Sequence, residues 1–413
     1  MSTDQPAVTI VGSGIAGSAL AAALATAGVP VLVLERTEEF VDHVRGEYMH
    51  PWGVAEAMQL GLHDDLLKAG GNVISRFVNY DEAYSPAEAE GAATPLADLL
   101  PGVPGALGIG HPAACQALFD AAVRAGAHAL RGVEQVKVTP GGSPEVRYQH
   151  GESEHSVRPR LVVAADGRES STRRQLGIGL EKTDPRIFLA GMLVDGIRDW
   201  PTADSDIGTS GDTILYVFPQ GEGRARLYIG YSIEDKTRLA GTGKAKTFLD
   251  AFRVDAIPDC GRFVDAVPAG PCAAYPMFDS WSDAVVADGV VFAGDAAGFS
   301  DPTIGEGLSV ALRDARMLRD VLLGGEDWST EAFTPYVEER AERMRRLRFC
   351  VQVFTDAHIP LGPDGVSERR RRLDMMSQDP DLFMLTAASA CGPELAPESS
   401  FAAEVREKLL TPA

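Results

Sequence analysis

Hydrophobic positions along this chain follow two patterns, and the switch between them divides it into lobes. Short apolar runs that end in glycine or an acid occur at Val8-Thr-Ile-Val-Gly12, Val31-Leu-Val-Leu-Glu35, Leu161-Val-Val-Ala-Ala-Asp166 and Val290-Val-Phe-Ala-Gly294-Asp295. Their length is that of buried parallel strands. Helical sequence follows the first and the last: an alanine-rich run after Gly17 and the pattern Leu308-Ser-Val-Ala-Leu312. From Arg186 to about Tyr275 the runs become longer and β-rich: Ile187-Phe-Leu-Ala-Gly-Met-Leu-Val, Thr213-Ile-Leu-Tyr-Val-Phe-Pro and Arg226-Leu-Tyr-Ile-Gly-Tyr. Gln220-Gly-Glu-Gly223 between the last two is a hairpin signal. Further strands are expected over 134–140 and 146–150. Beyond Trp328 the chain reads as helical, with a charged amphipathic helix from Phe333-Thr-Pro-Tyr336 to about Phe354 and a shorter one after Pro397.

The patterns predict an α/β fold: a Rossmann-like nucleotide-binding domain, an inserted antiparallel β-sheet domain and a helical C-terminal region. The nucleotide domain takes residues 1–71, 106–184 and 281–325, and the substrate-binding sheet takes 185–280. Residues 72–105, rich in Ala, Glu and Pro, read as a mobile connection. Residues 326–413 form the C-terminal helices.

The first unit carries chemistry. Gly12-Ser-Gly14-Ile15-Ala16-Gly17 sits between a strand and a helix, and the second strand ends at Glu35-Arg36, about 30 residues in all. Gly12 permits the tight turn, Gly14 lets the backbone approach a pyrophosphate, and Gly17 allows close packing of helix and strand. The helix start then offers free N–H groups and a positive dipole end to a diphosphate. Glu35 stands where a carboxylate accepts from a ribose 2′-OH. These features predict an adenine dinucleotide.

Two later segments narrow the choice. Asp166-Gly167 supplies a sharp turn at the carboxyl end of a strand, where ligands of open α/β sheets lie. Gly294-Asp295 ends another, followed by a loop with Pro302, Gly305 and Gly307 just before the helix that begins near Leu308. Asp295 is placed to hold a ribityl hydroxyl. The N–H groups of Gly307 and Leu308 are placed to stabilise negative charge on a flavin ring.

In this order and at these separations, the three motifs resemble those of the class A flavoprotein monooxygenases, the group of para-hydroxybenzoate hydroxylase. The resemblance runs from Val8 to about Leu323. It implies FAD as cofactor and NAD(P)H as electron donor, used in a shallow groove or through a separate flavin reductase. Reduced flavin in that family takes up O2 as a C4a-hydroperoxide and passes one oxygen to an electron-rich substrate, which here implies an aromatic or polyketide-like small molecule. Arg45 in Arg45-Gly-Glu-Tyr48-Met-His50 resembles the family's flavin-contacting arginine. The segment starting at His111 resembles its connecting helix, and Val136 falls where its backbone cradles adenine. Tyr48 and His50 follow as candidates for acid–base work on a phenol. Tyr216 and Phe218 share one strand face and, with Tyr228 on the next strand, make a candidate substrate wall.

The chain departs from the family in two places. Gly298 stands where many relatives have histidine after Gly-Asp-Ala-Ala, and His111 where the helix begins with arginine. The Gly-Asp-Ala-Ala-Gly form also occurs in flavin-dependent halogenases and geranylgeranyl reductase-like flavoproteins. Isolated tryptophans at 52, 200, 281 and 328 lack the halogenase Trp-X-Trp-X-Ile-Pro motif. The reductase reading stays open, as does a flavin-binding protein without turnover.

Composition excludes other classes. A net charge of −21 disfavours a nucleic-acid partner. Five widely spaced cysteines make neither a metal pattern nor a disulfide framework. With no apolar leader and no run long enough to span a bilayer, a cytoplasmic protein is expected. Arg340, Arg343, Arg345, Arg346, Arg348 and residues 369–372 read as solvated helix faces paired with neighbouring acids.

Overall fold

The computed structural model describes residues 5–221 and 223–411. The elements that build the site are, in order, β1 (Val8–Val11), α1 (Ile15–Thr26), β2 (Val31–Leu34), α2 (Pro51–Gln59), β3 (Arg76–Asp81), α3 (His111–Arg124) and β4 (Leu161–Ala164). They continue with β5 (Ile187–Asp195), β6 (Asp204–Ser210), β7 (Thr213–Pro219), β8 (Arg224–Ser232), β9 (Val290–Phe292), α4 (Gly307–Gly324) and α5 (Thr334–His358).

The short apolar runs become one sheet. β1 lies at its centre, parallel to β2 on one side and to β4 on the other, and β4 pairs parallel with β9. All four strands are buried throughout, as expected of a parallel sheet covered on both faces. α1 and α4 pack together against it. The glycines of the turn act by close approach. At Gly12 φ is +97°, and a Cβ there would lie 2.4 Å from the Ala165 carbonyl oxygen. A Cβ on Gly17 would lie 2.1 Å from the Gly12 carbonyl oxygen, so Gly17 fits the helix against the turn itself.

The longer β-rich runs build an eight-stranded sheet in which β5, β8, β7 and β6 pair antiparallel in that order. Alternation assigns the two faces. Met192, Val194, Leu215, Val217, Leu227 and Ile229 face outward under the helices of residues 244–264, while Leu189, Ile207, Ile214, Tyr216 and Tyr228 face inward. The hairpin expected at Gln220–Gly223 joins β7 to β8, though Glu222 lies outside the described residues.

Residues 72–105 are not an irregular connection. β3 joins the sheet by parallel pairing with β6, and Thr94–Pro95 pairs with β3. Within β3, Val78 and Tyr80 face outward while Phe77 joins the inner face, a period-2 pattern that the flanking Ala, Glu and Pro content masked. The Ser85-Pro-Ala-Glu88 stretch is a helix start with a reciprocal capping box between Ser85 and Glu88.

The C-terminal arginines also need correction. Arg345 and Arg346 pair with Glu342, and Arg371 and Arg372 with Glu368, at i,i+3 and i,i+4 spacing, but Arg346, Arg371 and Arg372 are mostly covered and also donate to carbonyls of neighbouring segments. Arg340, Arg343 and Arg369 are instead buried. Helical spacing placed them on the inner side of their helices, where they meet buried acids: Asp314 for the first two and Asp81 for Arg369.

Candidate active site

One cavity lies between the two sheets. Its floor is formed by Gly14, Ile15 and Ala16 at the start of α1, by Gly167 and Arg168, by Gly294 and Asp295, and by Pro302, Thr303, Gly305, Gly307 and Leu308. Arg45, Gly46, Glu47, Tyr48 and His111 line its side, and Leu189, Tyr216, Phe218, Tyr228, Tyr275 and Met277 its roof.

Two helices open onto it without caps. Gly14 is the N-cap of α1 and Glu306 that of α4; neither start has a side-chain cap or an acid in its first turn. Such ends leave N–H groups that need partners. A Cβ on Gly14 or Gly307 would meet nothing within 4 Å, so the backbone is accessible at both ends. Two electropositive helix starts in one cavity fit a ligand anionic at two points, as a flavin dinucleotide is at its diphosphate and at its pyrimidine edge.

The Gly-Asp turn is held from behind by the C-terminal region. Arg340 of α5 donates to the carbonyls of Gly294, Ala297 and Gly298 and, through Nε, to Asp314 Oδ2 at 3.0 Å. The same carboxylate oxygen accepts the Gly294 N–H at 2.8 Å. Burial opposes ionisation of Asp314, but the Arg340 and Arg343 guanidiniums overcome it and hold the carboxyl below its ordinary range. Asp295 itself accepts from Arg168 Nε at 2.9 Å, with that guanidinium 4.4 Å above the Phe299 ring.

Several expected residues are elsewhere. Asp166 accepts from the hydroxyls of Ser170, Ser171 and Thr172 and the Thr172 N–H, so its carboxylate caps the helix Ser171–Gln175 rather than facing the cavity. Glu35 accepts N–H and hydroxyl bonds from Ser13 and Thr37. Glu35, Arg36 and Val136 are off the cavity wall, and the Val136 carbonyl accepts from Gln175. His50 is also off the wall. Its Nε2 lies 2.6 Å from the Ile304 carbonyl, so it donates there, and burial lowers its pKa to about 4. It is a neutral histidine that ties α2 to the loop before α4, which corrects the acid–base expectation. Tyr48 lines the cavity edge-on to His50 and 4.7 Å from the Phe218 ring, with its phenol pushed up by burial. His111 starts α3 against Gly46 and is lowered to about 4 by burial and the nearby Arg45.

The roof residues meet as expected: Tyr216 and Tyr228 are direct cross-strand partners, and Phe218 packs 6.0 Å from Tyr216 and 6.1 Å from Tyr228. Sequence reasoning missed Glu47, Arg168, Tyr275 and Met277. Glu47 lay inside the quoted Arg45–His50 segment. A buried acid beside a glycine was the signal that could have found it.

The profile of the FAD binding domain family matches residues 5–348. Digeranylgeranylglycerophospholipid reductase of Methanoculleus marisnigri is 31% identical over 46% of this chain and 47% of its own length. Squalene epoxidase 2, mitochondrial, of Arabidopsis thaliana is 27% identical over 85% of this chain and 60% of its own. The chain thus spans about half to three fifths of these two relatives. Among solved structures, Pseudomonas aeruginosa PqsL in complex with 2-aminobenzoylacetate superposes with a TM-score of 0.72 at 21% identity, covering 85% of this chain and 96% of the other. No helix among the described residues is long and apolar enough to cross a membrane. With glycine turn, Asp-Gly and Gly-Asp segments meeting around one cavity and the family profile spanning most of the sequence, the chain belongs to the FAD-binding-domain flavoproteins, the family of the class A monooxygenases.

Proposed function

We propose that this protein is an FAD-dependent monooxygenase that inserts one atom of O2 into an aromatic or polyketide-like small molecule, with NAD(P)H as the source of electrons. The observation that carries it is the cavity between the two sheets, which joins the two uncapped helix starts to the aromatic face of β7 and β8. Bound FAD supplies the redox chemistry, accepting hydride and activating O2. The chain does the rest. The first turn of α1 holds a diphosphate, Asp295 a ribityl hydroxyl, and the N–H groups of Gly307 and Leu308 negative charge at the pyrimidine edge. Arg45 and His111 bound the ring from the side, with Glu35, Arg36 and Val136 toward the adenosine end. Tyr216, Phe218 and Tyr228 present an aromatic surface and keep water from the reacting centre. PqsL, whose fold is shared, is solved with an aromatic ligand.

The match to a digeranylgeranylglycerophospholipid reductase favours a second reading, saturation of an alkene. The test is turnover with NAD(P)H under air and under argon, with and without an added flavin reductase. Substrate-stimulated O2 uptake, with label from 18O2 in the product, supports the oxygenase; product formed without O2 supports the reductase.

A further inference from the structure

The chain treats the two halves of the proposed cofactor differently. Toward the flavin half, the two uncapped helix starts, Arg45 and Asp295 all line the cavity. Toward the adenosine half, the groups that the sequence motifs offer to a nucleotide are taken by other residues of the chain.

Glu35, placed by its motif to accept from a ribose 2′-OH, is buried, and four donors converge on its two oxygens. The Ser13 N–H and hydroxyl reach Oε2 at 2.7 and 3.0 Å, and the Thr37 N–H and hydroxyl both reach Oε1 at 2.8 Å. A carboxylate has about four acceptor sites, so these donors fill it. A ribose hydroxyl would have to displace one of them, and Ser13 is itself fully buried, with no solvent to take its place. The carboxylate thus ties the glycine turn, through Ser13, to the chain beyond β2.

The adenine wall is occupied in the same way. Gln175 donates Nε2 to the Val136 carbonyl at 2.9 Å and accepts the Val138 N–H on Oε1 at 2.9 Å. One side-chain amide therefore covers both of these main-chain groups on the strand Val133–Thr139. The carboxylate of Asp166 caps the helix that carries Gln175. Arg36 is left at that end as an exposed charge, where solvent screening makes an ion pair weak.

We infer that this chain recognises its cofactor through the flavin mononucleotide half and reads the adenosine half weakly, with Glu35 a positioning residue for the glycine turn. The inference rests on the proposed function in placing a flavin in the cavity. FMN carries the ring, the ribityl chain and the phosphate that meets the start of α1, so FMN is a ligand of the same site.

The experiment titrates the folded, flavin-free protein with FAD, FMN and riboflavin, read by flavin fluorescence. FMN should bind within about tenfold of FAD, and riboflavin, which lacks the phosphate, at least about tenfold more weakly than FMN. Glu35→Gln puts an amide donor among four donors and disturbs the turn at the phosphate. FAD and FMN should therefore weaken by the same factor, to within about threefold, while riboflavin keeps its affinity. A ribose reader would lose FAD affinity alone, and a general loss of structure would weaken riboflavin too. FMN more than about tenfold weaker than FAD overturns the inference, as does riboflavin binding as tightly as FMN. A Glu35→Gln loss confined to FAD, shared by riboflavin or absent also overturns it. If Glu35→Gln does not fold, the three wild-type affinities decide. Binding of FAD without FMN counts against this inference alone, whereas binding of neither overturns the proposed function with it.

Discussion

Arg340→Lys tests whether the C-terminal region is part of the cofactor site. The side chain is 4% exposed and makes four hydrogen bonds, three of them to carbonyls of residues 294–298. Lysine keeps the charge opposite Asp314, but one ammonium cannot reproduce a planar fork spread over four acceptors. Two or three bonds are lost, each worth about 1 kcal/mol, and the carbonyls stay buried, giving a loss of about 2–4 kcal/mol. For 413 residues, with an unfolding entropy of about 2.1 cal/mol/K per residue, that corresponds to a fall in Tm of about 2–5 °C. The turn that relaxes carries Asp295, so FAD affinity should fall with stability. Differential scanning fluorimetry and flavin fluorescence titration read the two effects on one sample. An unchanged FAD affinity would refute the claim that α5 sets the Gly-Asp turn, whatever happened to Tm.

Asp295→Ala should show the opposite division. Its one pairing, with Arg168, is partly exposed at 30% and 24%, so stability should change by at most about 1 kcal/mol, while FAD affinity should fall by about one to two decades; equal titration curves for variant and wild type would give Asp295 another role. Arg45→Lys should weaken FAD by a similar factor and raise NAD(P)H oxidation that yields no product, read as the ratio of product to NAD(P)H consumed. His50 is largely buried, its side chain 12% exposed, with its pKa lowered by burial from 6.5 to about 4, so the unfolded chain binds its proton first as pH falls. Its contribution to stability is therefore intact above about pH 6.5 and is lost progressively toward pH 4, by about 3 kcal/mol in full. Denaturant unfolding of His50→Gln, which can still donate to Ile304, should show a shallower loss across that window, and a profile parallel to the wild type would contradict it.

How much could be read from the sequence follows the physics of each segment. The parallel strands and both helix starts were legible because glycine turns and short apolar runs are local signals. The aromatic roof was legible because period-2 alternation fixes which residues share a face. β3 was not, because its partner β6 lies more than 120 residues away, and helix formers flank it. Asp166 was placed at the right strand end, but three following hydroxyl residues capture its carboxylate, a competition decided by rotamers rather than by motif. Arg340 and Arg343 share charge and helix with solvated neighbours, and only burial against Asp314 separates them. Glu47 gains its meaning from Tyr228 and Arg226, both roughly 180 positions further along the chain.

The central claim is that one cavity between the two sheets holds a single FAD. Titration of the folded, flavin-free protein with FAD tests it most directly, read by absorbance and by quenching of flavin fluorescence. The account predicts saturation at one FAD per chain, loss of that saturation in Asp295→Ala at the same protein concentration, and a yellow protein after desalting. A well-folded chain that stays colourless and leaves flavin fluorescence unchanged would contradict it.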